Sequence, residues 1–116
     1  MSMKYYYLEG NLNEGIPTDA SFHQVLDAHH AYIKQYFESG KILASGPKIG
    51  GRGGIILLRL EDEESVEEFC SEDPFAKANI QSYKIVQFDL YQIQKYAEEW
   101  KGYERGNRIH GTCTDI

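Results

Sequence analysis

Between residues 21 and 40 the apolar positions recur at three- and four-residue intervals. Phe22, Val25, Leu26, Tyr32, Ile33, Tyr36 and Phe37 fall into one stripe when side chains are set at about 100° steps. That spacing predicts an amphipathic helix, capped at Asp19 or Ser21 and stopped at Gly40 by a left-handed turn. His29 sits near the centre of the stripe and His30 at its flank. An imidazole on the burying face has two readings: a satisfied core histidine, or an acid/base group facing a pocket.

The period then shortens. Residues 3–8 (MKYYYL) are rich in β-formers and predict a strand. Residues 9–20 are polar, with two glycines and Pro17, and read as a loop. Residues 42–45 form a short strand checked by Gly46-Pro47. Residues 54–60 (GIILLRL) form a near-continuous apolar run, expected as a central, covered strand. The glycines at 50–54 (GGRGG) read as a flexible turn between these two strands. A phosphate loop would need a following Lys-Ser/Thr and a helix, and neither comes next.

Ser65 with Glu68 makes a capping box that opens a helix through Val66, Phe69 and Cys70. Asp73-Pro74-Phe75 restarts the helix, with Asp at the cap and Pro in the first turn; it ends near Asn79. Residues 82–91 alternate, with Val86, Phe88 and Leu90 on one face, and predict a half-buried strand. Ile93, Tyr96 and Trp100 stand at helical spacing, and an irregular tail is expected after Lys101. The order β-α-β-β-α-β predicts a ferredoxin-like α+β fold, a four-stranded antiparallel sheet with two helices on one face. A second copy of the chain is the expected cover for the other face. Two segments are expected: one domain over residues 1–91 and a C-terminal extension over 92–116.

Composition narrows the function. A formal charge of −6 and a pI near 5.1 argue against nucleic-acid binding and against an anionic membrane surface. No apolar run approaches the length of a membrane span, and the first residues do not read as a leader. A cytoplasmic location with free thiols is expected: Cys70 and Cys113 have no C-x-x-C spacing. His23, His29, His30 and His110 form no metal motif, so neither metal nor cofactor is expected. The acidic residues 61–64 read as a solvated connector.

Chemistry centres on His29 and Asp73. A carboxylate beside an imidazole fixes its tautomer and orients it as a base. The sequence permits the meeting, since both helices lie on one sheet face, but Asp73 is equally well explained as a cap. Ser45, Gly46 and Pro47 are either a pocket wall or a strand-end turn. Tyr6, Tyr32 and Tyr36 could offer hydroxyls to a ligand.

His29, then Gly40 eleven residues on, then Ser45-Gly46-Pro47, the apolar strand, Asp73-Pro74-Phe75 and the closing YKIVQF together resemble the YCII-related (YciI-like) domain family. The resemblance covers residues 3–91. It implies a ferredoxin-like fold, a dimeric α+β barrel with sheets face to face, and a His-Asp active-site pair at His29 and Asp73. The family reading makes Ser45, Gly46 and Pro47 a pocket wall, and Phe75 and Tyr32 are expected as binding residues beside it. Some members of that family carry out dehydrochlorination-type steps on aromatic breakdown products. The function expected is thus a cofactor-free isomerase or lyase acting on a small cyclic or aromatic-derived acid, as a homodimer or higher oligomer. The alternative is a non-catalytic dimer that binds a metabolite or a partner protein.

Overall fold

The computed structural model describes residues 2–16 and 19–101. Pro17 in the first loop, and the tail expected beyond Lys101 with His110 and Cys113, lie outside the described residues. Four strands and four helices follow in the order β1 (Met3–Leu12), α1 (Ala20–Glu38), β2 (Ile42–Pro47), β3 (Gly53–Glu61), α2 (Val66–Glu72), α3 (Pro74–Lys77), β4 (Gln81–Phe88) and α4 (Glu98–Lys101). A 3-10 turn at Lys95–Ala97 precedes α4. The sheet is antiparallel with order β2-β3-β1-β4. Among the described residues no helix is long and apolar enough to cross a membrane.

The barrel expectation is corrected. β2 and β4 are the two edges of an open sheet and do not pair with each other. Closure needs every strand to have two neighbours, and four strands paired in this order leave both ends free. What stands is an α+β fold with a four-stranded antiparallel sheet and helices.

Local signals set the elements. The Asp19 carboxylate accepts from the Phe22 N–H and starts α1. Gly40, at φ +85°, turns the chain out of it. Ser65 Oγ accepts from the Glu68 N–H and starts α2. β1 runs to Leu12, past Leu8, where its composition suggests an end. Gly10 and Asn11 have poor β-propensity, but β3 and β4 pair with them from both sides, and those ladders override it.

One face of the sheet carries Tyr6, Leu8, Ile56, Leu58 and Leu60, all buried, against Val66 and Phe69 of α2. Tyr32 and Tyr36 bring one end of α1 onto this cluster, through ring contacts with Phe69 at 5.5 and 4.7 Å. The other face is partly covered by Trp100, which packs on Tyr5 and under the Arg59 guanidinium.

Candidate functional site

α1 does not lie flat on the sheet. None of its residues is buried. Its stripe divides: Tyr32 and Tyr36 reach the core, Phe22, Leu26 and His29 face a cavity of about 740 Å³ between the helix and the sheet, and Ile33 touches both. Part of the apolar stripe thus lines a concave, mostly apolar hollow instead of packing on the sheet.

Asp73 is placed at one wall by the break between α2 and α3. Pro74 has no N–H to give, so the Phe75 N–H is the helix-opening donor, and it bonds Asp73 Oδ1 at 2.9 Å. Tyr83 of β4 donates its hydroxyl to Oδ2 at 2.6 Å. His29 Nδ1 lies 2.8 Å from Oδ1 and 2.9 Å from Oδ2. The carboxylate is fully buried, and a buried charge is tolerated only when its oxygens are satisfied. An ionised carboxylate only accepts, so each of these three partners must donate. The hydrogen-bond network therefore assigns the proton to His29 Nδ1. In the neutral ring Nε2 then holds the lone pair, and it has no hydrogen-bond partner among the described residues. The ring is held flat against Phe75, with centroids 4.2 Å apart and planes 10° apart.

The electrostatics follow the same layout. Burial, and after it the Asp73 charge, push the Tyr83 phenol far above its ordinary value, so it stays a donor at any working pH. Burial and then Asp73 push the Cys70 thiol up to about 12, which leaves it a poor nucleophile near neutrality.

Ser45, Gly46 and Pro47 on β2 and Phe75 on α3 line the same cavity as His29. Ser45 pairs with Ile56, whose side chain is buried on the helix side, so Ser45 shares that face. Tyr32 stands elsewhere. Its hydroxyl donates to the Phe69 carbonyl at 2.7 Å, within the core cluster rather than on the cavity lining. Sequence reasoning missed Tyr83 and Gln81, which close the floor of the cavity, and Lys34 and Phe37, which line it from α1. The pattern of β4 put Val86 and Phe88 on the buried side. The register instead turns Tyr83 and Gln81 toward the helices, opposite Gly10 and Leu12. Among the described residues, no group of three or more His, Cys, Asp or Glu is placed to hold a metal ion.

The model of the YCII-related domain matches residues 3–89. The chain belongs to the YCII-related domain family. No curated protein matches it. Among solved structures it is similar to a 5-chloro-2-hydroxyhydroquinone dehydrochlorinase from Burkholderia phenoliruptrix, determined in complex with 2,5-dihydroxybenzoquinone. Identity is 19%, the TM-score is 0.53, and the match covers 79% of this chain and 97% of the other. At that identity the likeness speaks for the shared YCII fold.

Proposed function

We propose that this YCII-related protein is an acid–base enzyme in which His29 moves a proton and Asp73 orients it. The supporting observation is the pairing of His29 Nδ1 with a buried carboxylate while the same imidazole lines a cavity. Nε2 takes a proton from a carbon beside a carbonyl. The released electron pair passes to the carbonyl oxygen. Return of a proton at another carbon gives isomerisation, and loss of a leaving group gives elimination. Asp73 balances the positive charge that His29 gains.

The substrate class is a small cyclic or aromatic-derived acid. Phe22 and Phe75 stand nearly parallel in the lining, 5.8 Å apart at 25°, a wall suited to a planar ring. Lys34 of the same lining supplies a cation for a carboxylate, and His30 a ring N–H donor beside it. The solved dehydrochlorinase holds a dihydroxybenzoquinone, a ligand of this size and shape. Ser45, Gly46, Pro47 and Phe75 are the proposed binding residues. The proposed working form is a cytoplasmic homodimer or higher oligomer. Leu57, Tyr7 and Val86 form a row across three strands on the face away from α1, and Val86 is 42% exposed there.

Deuterium exchange tests the chemistry without knowledge of the natural substrate. A panel of small cyclic keto acids and dihydroxyquinones is incubated with the protein in deuterium oxide, and carbon-bound protons are followed by NMR. Wild type is expected to accelerate exchange for at least one compound, and His29→Gln to lower that rate by about 10²–10⁴-fold. Equal rates in the two proteins, or no acceleration with any compound, overturn the proposal.

A further inference from the structure

The acid–base reading leaves one polar side chain of the cavity unused. Gln81 opens β4, is only 6% exposed, and lines the cavity floor. It rests directly on the backbone of β1. A Cβ added at Gly10 would lie 2.8 Å from Gln81 Cδ and Oε1 and 2.9 Å from Nε2. Gly10 is thus the residue that makes room for this amide.

The neighbours of the amide leave its oxygen unsatisfied. Asp73 can only accept, so the Tyr83 O–H is committed to it and does not serve Gln81. Gln81 Oε1 has no protein donor among the described residues, and it is not among the sealed, unpartnered polar atoms. It therefore stays within reach of whatever fills the cavity that Gln81 lines.

We infer that Gln81 Oε1 is a ligand-reading acceptor on the cavity floor, selecting small ring compounds that carry a hydroxyl or N–H donor. A ligand that covers this oxygen without donating to it strands a buried acceptor, which is why such sites reject analogues with the donor blocked. The inference rests on the proposed ligand role of the cavity, and it is independent of whether His29 moves a proton.

Hydroquinone and 1,4-dimethoxybenzene form a suitable probe pair: equal rings, with the donors present or methylated. Each is titrated into ¹⁵N-labelled full-length protein, and the side-chain signals of Gln81 and His29 are followed. Hydroquinone is expected to bind wild type at least about tenfold more tightly. Gln81→Leu should bring the two affinities within roughly threefold. Gly10→Ala keeps the glutamine but displaces its amide, and should do the same. Equal binding of both probes to wild type, or a preference that survives in both variants, overturns the inference and leaves the His29 proposal standing. Failure of both probes to perturb the cavity at millimolar concentration overturns this inference together with the ligand role of the cavity.

Discussion

Asp73 holds one nitrogen of His29 with both of its carboxylate oxygens, at 2.8 and 2.9 Å. The two residues are 44 positions apart in sequence and come from different helices. The contact turns an ordinary helix cap into the support for an imidazole. The Asp73→Asn variant separates these two duties. Asparagine still accepts from the Phe75 N–H and can still cap α3. Its NH₂ group, however, can only donate, and it invites His29 to present Nδ1 as an acceptor with the proton on Nε2. The expected outcome is a folded protein with the opposite tautomer, visible in imidazole ¹⁵N shifts. Any exchange activity should fall about 10²-fold or more. A folded variant with unchanged tautomer and rate would show that Asp73 is a cap alone.

Tyr83 belongs to the same hydrogen-bond network. Its hydroxyl is one of three donors to Asp73. Tyr83→Phe keeps the ring beside Phe69, 6.3 Å away, and removes the donor. Loss of a hydrogen bond to a buried charged group should cost about 1.5–3 kcal/mol in urea unfolding. With one donor fewer, the carboxylate leans more on His29, so the Nδ1–H resonance should move downfield. A drop in stability with His29 resonances unmoved would make Tyr83 structural only.

Much of the frame was readable before any coordinates. The stripe from Phe22 to Phe37 gave α1, Gly40 its stop, and Ser65 and Asp73 the two caps, because each signal is local and acts through the backbone it touches. His29 and Asp73 were readable as candidates. That they meet depends on a long-range packing that no local pattern encodes. Tyr83 and Gln81 were missed for a related reason. In a strand a side chain's face is set by register with its neighbours, and the most apolar alternation in β4 pointed to Val86 and Phe88. The side facing the cavity is the more polar one, because Tyr83 holds Asp73 from it and Gln81 lines the cavity. Tyr32 was expected to offer its hydroxyl to a ligand, yet that hydroxyl donates to the Phe69 carbonyl, beside the core cluster.

Acid stability should carry the signature of Glu64. Burial raises this carboxyl, but the Glu61 N–H and the Lys41 ammonium, with two contacts of 2.8 and 2.9 Å, outweigh it and leave it below its ordinary value. A carboxyl whose folded pKa is depressed adds stability above its unfolded value, about 4.3. That contribution is lost as pH falls through the folded value. Wild type should therefore lose more stability than Glu64→Gln between about pH 5 and pH 3. Parallel unfolding curves for the two proteins across that range would show that the ion pair contributes nothing on folding.

The glycine run before β3 makes a graded prediction about the floor of the cavity. Gly51 and Gly53 both line it and both have positive φ, +79° and +125°. Their surroundings differ. A Cβ at Gly51 meets nothing within 4 Å, whereas one at Gly53 would fall 1.9 Å from the Gly10 carbonyl oxygen. Gly51→Ala meets only the conformational penalty, about 1–2 kcal/mol. Gly53→Ala combines a forbidden backbone angle with a clash against β1, its partner in the central ladder. It should cost more than about 3 kcal/mol. Because Gly10 also seats the Gln81 amide, any Gly53→Ala protein that folds should show shifted Gln81 side-chain signals, while Gly51→Ala should not. Equal midpoints for the two variants in urea would mean that the turn can swing away from β1, and that the close approach of Gly53 to Gly10 is not needed to hold the cavity floor.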